Sequence, residues 1–155
     1  MKIDIPNVGS YSIENIVFDF NGTLAKDGKV PPRVYRQILG LAQDFNVFII
    51  TADTFGTVEE IFNGTDVKIE IVSKDNGTLD KKHLIESLDP EETIALGNGS
   101  NDVLMLKESA ISIAVLGQEG LSIEALKNSD LIIKNINDFF EMMKEPKKLV
   151  ATLRK

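Results

Sequence analysis

Four short segments of the sequence carry side chains that could take part in chemistry. The first, IVFDFNGTL over residues 16–24, runs from an apolar stretch into Asp19, then into a glycine turn and a hydroxyl. A carboxylate in that position can attack phosphorus or bind a divalent cation, while Gly22 permits close approach of the backbone and Thr23 can form a hydrogen bond within the loop. The alternative is an ordinary Asp-Asn-Gly turn without chemistry.

The second segment ends an apolar run with Thr51, Ala52 and Asp53. A hydroxyl group and backbone N–H groups at the start of a helix form a site that suits a phosphate. The alternative is purely structural, because Asp53 or Thr54 can cap the helix predicted over residues 58–62 without any ligand.

The third segment is a helix predicted over residues 79–88, with Lys81 and Lys82 in its first turn. A lysine at this place can pair with Asp19 and with a bound phosphate. The alternative is again structural, because charged residues on a helix usually form its solvated face.

The fourth segment, TIALGNGSNDVLML over residues 93–106, is a strand that meets a glycine loop and a helix. Gly97 and Gly99 match the first two positions of the dinucleotide-binding pattern GxGxxG. Asp102 stands where the third glycine is needed, and its charge would repel a pyrophosphate. A carboxylate here suits a cation better.

The rest of the pattern predicts the elements that position these segments. Short β-branched or aromatic runs predict six buried strands, which cover residues 16–19, 47–51, 67–72, 93–96, 111–115 and 131–133. Helical patterns lie between them, the clearest beginning near Pro32. This alternation predicts an α/β fold, a Rossmann-like three-layer αβα arrangement with a mostly parallel sheet, whose site follows the carboxyl ends of the strands.

Length and composition narrow the class of protein. A chain of 155 residues predicts a single domain over residues 1–155, with a β-hairpin over residues 1–13 added at an edge of the sheet. The net charge of −7 argues against nucleic acid and anionic membranes as partners. The absence of cysteine and the single histidine exclude thiolate and histidine-cluster metal sites. With no signal peptide or apolar span, we predict a cytoplasmic location.

In order and spacing, the four segments resemble the haloacid dehalogenase-like superfamily over nearly the whole chain. FDFNGTL is similar to the first motif of that family, DxDx[TV], and IITADT to its second, a Ser or Thr after a strand. The lysine at a helix start corresponds to the third motif, and LGNGSNDVLML to the fourth, GDGxND. The details look most like the phosphorylation domain of P-type ATPases and the short soluble proteins named after them. The stretches after Leu24 and Val72 are too short for an inserted cap domain.

The resemblance implies a role for each matching position. Asp19 would be the nucleophile that forms an aspartyl-phosphate, and Lys81, preferred over Lys82, would neutralise charge. The residues implied to hold the phosphoryl group besides Lys81 are Gly22, Thr23, Thr51 and Ala52. The residues implied to bind Mg²⁺ are Asp19, Asn21 through its carbonyl, Asn98 and Asp102.

Two positions depart from the family pattern, and each replaces a carboxylate by an amide. Asn21 stands where phosphatases of the family have the aspartate that does general acid–base work, which asparagine cannot do. Asn98 stands where the family has a metal-binding aspartate, so we expect weak binding of Mg²⁺.

Two functional hypotheses follow. The first is a slow, magnesium-dependent phosphohydrolase that acts on an unknown phosphorylated substrate. The second is a catalytically impaired regulatory module that binds phosphate and metal. An open site of this family takes large substrates or is covered by a neighbouring subunit, so a homo-oligomer is among the expectations.

Overall fold

The computed structural model describes residues 1–53 and 56–155. The strands are β1 Lys2–Ile5, β2 Gly9–Ser12, β3 Asn15–Asp19, β4 Asn46–Thr51, β5 Lys68–Ile71, β6 Thr93–Gly97, β7 Ile111–Val115 and β8 Leu131–Ile133. The α-helices are α1 Pro32–Leu41, α2 Thr57–Phe62, α3 Gly77–Ser87, α4 Val103–Glu108, α5 Ile123–Lys127, α6 Ile136–Lys144 and α7 Pro146–Leu153. Short 3₁₀ turns cover Pro90–Glu92 and Ser100–Asp102. All six predicted strands are present, each with ends within one residue of the prediction.

Strands β3 to β8 form one sheet in the order β5-β4-β3-β6-β7-β8, and every pair in it is parallel. The chain winds outward from β3 in one direction and returns beside β3 with β6 to wind in the other. Ligands of such sheets bind where the strand order reverses, outside the carboxyl ends of the strands. The topology therefore confirms the predicted α/β fold and places the candidate site at the ends of β3, β4 and β6.

Both faces of the sheet are covered, which gives the three predicted layers. On one face, Phe18 of β3 packs edge-on against Phe139 of α6, with ring centroids 5.6 Å apart. On the other face, Val17 belongs to a second buried cluster that includes Ile85 of α3 and Met105 of α4. Strands buried on both faces read as continuous apolar runs, which explains why the sequence marks them so clearly.

The N-terminal hairpin is present, but its predicted place is wrong. Strands β1 and β2 pair antiparallel in a separate two-stranded sheet and are not added to an edge of the main sheet. Ile3 and Ile5 of β1 are buried in the core cluster that also contains residues of α6 and α7. Burial of these side chains, and a hydrogen bond from the Lys155 N–H to the Pro6 carbonyl at 3.2 Å, hold the hairpin against the C-terminal helix without any pairing to β5 or β8.

Within residues 1–53 and 56–155, no helix is both long and apolar enough to cross a membrane.

Candidate active site

Strand β3 carries Asp19 to the carboxyl edge of the sheet, between the ends of β4 and β6. The parallel register pairs Asp19 with Ile50 of β4 and Phe18 with Leu96 of β6, so the three strands end together. Asp19 is only 7% exposed and Thr51, at the end of β4, only 2%. A carboxylate is therefore held at a defined place, nearly out of solvent, at the point where the strand order reverses.

Lys81 joins Asp19 to a second carboxylate from β6. Its Nζ lies 2.6 Å from Oδ1 of Asp19 and 2.5 Å from Oδ1 of Asp102, and the side chain is 1% exposed overall. Lys81 and Ile85 lie one helical turn apart and are the two buried residues of α3, so the helix face that packs on the sheet also delivers the ammonium. One cation faces two carboxylates, which leaves a formal charge of −1 on the buried triad.

The loop after β6 wraps around Asp102, which is fully buried. Its Oδ2 accepts hydrogen bonds from the backbone N–H of Asn98 at 2.9 Å and of Gly99 at 2.8 Å. Its Oδ1 accepts from Lys81. Both oxygens are thus engaged within the protein, and the carboxylate fixes the loop as well as the lysine.

Burial and charge shift the pKa of the groups in the triad. Burial, with the negative charge of Asp102 added to it, raises the pKa of Asp19 to about 7 against the opposing attraction of Lys81. Burial by itself lowers the pKa of Lys81, but the attraction of Asp19 and Asp102 outweighs burial and raises this pKa above its usual value. The ion pairs therefore favour the charged form of Lys81, and the raised pKa of Asp19 brings its proton exchange close to neutral pH.

Gly22 allows the loop after β3 to press against the loop after β6. Its φ is +81°, and a Cβ there would lie 2.5 Å from Nδ2 of Asn98. The Thr23 hydroxyl donates to Oδ1 of Asn98 at 3.4 Å, and Nδ2 of Asn98 donates to the Gly120 carbonyl at 3.3 Å. The Asn98 amide thus ties together the loops that follow β3, β6 and β7.

Gly117 brings the loop after β7 into close contact with the loop after β3. A Cβ on Gly117, in the loop after β7, would lie 2.3 Å from the carbonyl oxygen of Gly22. The backbones of the two loops are in direct contact, so the position of the loop after β3 is set by backbone packing.

The end of β4 is tied to α2 by hydrogen bonds, but the N-cap residue of α2 is Gly56 and not Asp53. The Thr51 hydroxyl accepts from the Asp53 N–H at 3.1 Å, and Oδ2 of Asp53 accepts from the N–H of Val58 in the first turn of α2 at 3.3 Å. Thr54, the other capping candidate, lies outside the described residues. Thr51 is buried next to Asp19, whereas Ala52 and Asn21 are exposed at the surface of the site.

The second lysine of α3 points away from the carboxylates. Lys82 forms ion pairs with Glu86 on its own helix and with Glu108 of α4, the latter at 3.6 Å. Of the two lysines that the sequence offers, Lys81 is the one whose ammonium reaches Asp19.

A surface depression of about 300 Å³ lies beside Asp19, over the ends of β3 and β4. The described residues that line it are Phe20, Asn21, Gly28, Ala52, Asp53, Thr57 and Lys74. Lys74 was not identified from the sequence, because nothing in the polar run Ser-Lys-Asp-Asn over residues 73–76 separates it from an ordinary loop lysine. The depression offers room for a group attached to a phosphate held at Asp19.

The oxygen donors at the strand ends are two carboxylates and two amides. Within the described residues, no group of three or more His, Cys, Asp or Glu side chains is placed to hold a metal ion. Asp19 and Asp102 bring carboxylates, and Asn98 and Asn21 bring carbonyl oxygens nearby. Magnesium accepts few protein oxygens and keeps several waters, so the types of oxygen at the strand ends suit it. The ammonium of Lys81 lies between the two carboxylates that would have to bind the ion.

Comparisons with known proteins identify a related family and a shared fold. Residues 81–140 match a family model described as haloacid dehalogenase-like hydrolase. The chain is 30% identical over 101 residues to a soluble P-type ATPase-like phosphatase of Methanocaldococcus jannaschii, a match that covers 64% of this chain and 37% of the relative. It is also 37% identical over 78 residues to an uncharacterized protein of the same organism, covering 48% of this chain and 84% of the relative. The chain thus spans little more than a third of the phosphatase that it matches.

A solved structure supports the fold. The chain superposes on 3-deoxy-D-manno-octulosonate 8-phosphate phosphatase from Moraxella catarrhalis with a TM-score of 0.65, over 92% of this chain and 94% of the other. That enzyme was crystallised with a magnesium ion, a phosphate ion and a KDO molecule. The two sequences are 17% identical, so this likeness concerns the fold.

Proposed function

We propose that this chain, which belongs to the haloacid dehalogenase-like superfamily, is a slow magnesium-dependent phosphohydrolase that works through an aspartyl-phosphate at Asp19. The observation that carries the proposal is the ammonium of Lys81 held between two buried carboxylates where the strand order reverses. A lysine so placed fixes the nucleophile and leaves a cation where phosphoryl oxygens would gather negative charge.

The first chemical step requires Asp19 as a carboxylate. An oxygen of Asp19 attacks phosphorus, the bond from phosphorus to the leaving oxygen breaks, and that oxygen departs with the bonding electrons and takes a proton from water. In the second step, water attacks phosphorus, the bond to Asp19 breaks, and inorganic phosphate is released as the proton passes to solvent. Thr51, Gly22, Thr23 and Ala52 are the proposed contacts of the phosphoryl oxygens, alongside Lys81.

Asn21 is the proposed reason for slow turnover. It is exposed beside Asp19 at the rim of the depression, where a leaving group would lie. An amide has no proton to give at neutral pH and takes none from water, so neither step has a general acid or base from this residue. A positioned acid or base typically contributes about 10² to 10⁴ fold, and this chain lacks that contribution.

Magnesium is the proposed cofactor, held by Asp19, Asp102, Asn98 and the carbonyl of Asn21. When bound, it would supply positive charge to the phosphoryl oxygens. Asp102 is already held by Lys81 and two backbone N–H groups, and Asn98 is held by Thr23 and Gly120. These contacts compete with coordination, so we propose that magnesium binds weakly.

The alternative is a phosphate- and metal-binding module without turnover. The asparagines at positions 21 and 98 favour this module, because each replaces a carboxylate of the family pattern by a neutral amide of similar shape. In either case we propose a phosphorylated substrate or ligand, without nucleic acid or membrane as a partner, and a cytoplasmic location. The open depression leaves a homo-oligomer among the proposals.

The test compares the protein with its Asp19→Asn variant. We expect slow, magnesium-dependent hydrolysis of a generic aryl phosphate by the protein and none by the variant. Beryllium fluoride, which mimics an aspartyl-bound phosphoryl group, should bind the protein and not the variant. Lys107→Gln, on an exposed face of α4, is the matched control and should behave as the wild type. Binding of beryllium fluoride without any hydrolysis would favour the module, and equal hydrolysis by wild type and Asp19→Asn would remove Asp19 from the mechanism.

A further inference from the structure

The depression beside Asp19 has a positively charged side chain at its rim. Its described lining combines the polar groups of Asn21, Asp53 and Thr57 with the ammonium of Lys74. The Asp53 carboxylate is directed in part to α2, because its Oδ2 accepts the N–H of Val58, and it keeps its formal negative charge. Among the described residues that line the depression, Lys74 is the cation.

The loop that carries Lys74 is fixed to the helix that carries Lys81. Both the backbone N–H and the hydroxyl of Ser73 donate to Oδ2 of Asp80, at 2.9 Å and 2.7 Å. The Ser73 hydroxyl in turn accepts from the N–H of Asn76 at 3.1 Å. Asp80 directly precedes Lys81 on α3, so one short segment positions both the ammonium inside the triad and the ammonium at the rim.

Lys74 has no partner of its own among the described residues, since none of their carboxylates lies within ion-pair distance of it. Other lysines of this acidic chain form such pairs, for example Lys82 with Glu86 and Lys148 with Glu145. An unpaired ammonium at the edge of a cleft, where the walls reduce solvent screening, attracts an anion more strongly than one on an open surface.

We propose that Lys74 is a specificity-determining residue, which binds a second anionic group on the part of the substrate that leaves with the oxygen. The inference rests on the proposed function and names a substrate class: phosphate monoesters whose leaving group carries a carboxylate or another phosphate. The phosphate lies at Asp19 and Lys81, the body of the leaving group occupies the depression beside Asn21 and Thr57, and the second anion meets Lys74.

The experiment measures binding without turnover. Three non-hydrolysable ligands of similar length are titrated calorimetrically at the same saturating free Mg²⁺: propylphosphonate, 3-phosphonopropionate and ethane-1,2-bisphosphonate. The first has no second anion, the second has a carboxylate and the third another phosphonate. Each is tested on the wild type, on Lys74→Gln and on Lys107→Gln, a control that removes an exposed lysine far along the chain from the depression.

We expect the wild type to bind one or both doubly anionic ligands about tenfold more tightly than propylphosphonate, which is the effect of one charge-assisted contact. Lys74→Gln should abolish that preference and Lys107→Gln should keep it. The ligand with the larger preference identifies carboxylate or phosphate as the second group. The inference is overturned if the wild type binds all three equally, if Lys74→Gln keeps the preference, or if no phosphonate binds.

The proposed function is judged separately, by hydrolysis of an aryl phosphate. Hydrolysis with no preference for a second anion would overturn the inference about Lys74 alone. A preference that depends on Lys74, in a protein that releases no phosphate from the aryl phosphate, would support a second anion-binding position at Lys74 and count against the phosphohydrolase.

Discussion

Replacing Lys81 by methionine tests the electrostatic logic of the triad. Methionine fills much of the lysine volume, so the change removes mainly charge and hydrogen bonds. Two carboxylates, 7% and 0% exposed, then share a site without a cation. Removing one partner of a buried ion pair typically costs about 3 to 5 kcal/mol of unfolding free energy. A loss of this size is a large part of the free energy of unfolding of a typical domain, which is roughly 5 to 15 kcal/mol.

Protonation of Asp19 limits that cost in a pH-dependent way. The pKa of Asp19 is already raised to about 7 with Lys81 in place, and loss of the lysine raises it further. A carboxyl whose pKa is higher in the folded than in the unfolded state binds more protons when folded, so its contribution to stability is lost as pH rises through the folded pKa. Lys81→Met should therefore cost about 3 kcal/mol or more at pH 8 and clearly less at pH 5.5.

The assay is urea unfolding in the presence of a chelator at both pH values. Lys82→Met is the matched control, because Lys82 is the adjacent residue, and its partly exposed ion pairs should contribute within about 0.5 kcal/mol at either pH. The double variant Asp19→Asn with Lys81→Met leaves one buried carboxylate and should recover part of the loss. A Lys81→Met protein as stable as the wild type at pH 8, or a loss that does not shrink at pH 5.5, would refute the reasoning.

Three further predictions concern single side chains of the site. Asp19→Asn reduces the triad to one cation and one carboxylate. We therefore expect this variant to unfold at a higher urea concentration than the wild type at pH 8, and at a similar concentration at pH 4. Lower stability at pH 8 would contradict the net charge assigned to the triad. Asn21→Asp supplies the missing acid or base and should raise the rate of phosphate release about 10² fold. This is the lower end of the usual range for a general acid or base, because the new carboxylate lies near Asp19. An unchanged rate at saturating Mg²⁺ would favour the binding module. Asn98→Asp should tighten the binding of Mg²⁺, measured by calorimetry. It should also lower the free energy of unfolding by about 1 kcal/mol, because a carboxylate cannot donate a hydrogen bond to the Gly120 carbonyl. Tighter binding with no loss of stability would show that this hydrogen bond contributes nothing.

The sequence predicts the sheet and the residues at its carboxyl edge well because both depend on local patterns. Strands buried on both faces, such as β3 and β6, read as uninterrupted apolar runs that end in Asp19 and in Gly97. The choice of Lys81 over Lys82 rests on the resemblance to the haloacid dehalogenase-like superfamily, whose lysine stands three residues before an apolar pair, here Leu84 and Ile85. In the structure, Lys81 and Ile85 are the buried residues of α3. Only the inferences about the strands use nothing but the periodicity of side chains along one element.

Features that depend on contacts between distant loops could not be predicted. The Asn98 amide bonds Thr23 and Gly120, residues far from it along the chain, and no periodicity relates them. Lys74 lies at the rim of the depression because Ser73 binds Asp80, a side-chain contact within an irregular loop. The hairpin was placed at a sheet edge because its pattern shows only that β1 and β2 pair with each other, whereas its position depends on burial against α7.

The contact between Gly117 and the Gly22 carbonyl limits how this protein can change by mutation. A clash between two side chains can be relieved by shortening one of them, but here the obstacle to a Cβ at position 117 is a backbone oxygen, which every residue possesses. No second substitution at position 22 compensates for a side chain at 117. In a saturation-mutagenesis library, position 117 should accept glycine alone, whereas Gly28, which has a positive φ but open space around it, should also accept asparagine and aspartate. The loop that follows Asp19 is therefore held at a position that single substitutions cannot adjust, because its neighbour in the contact is backbone.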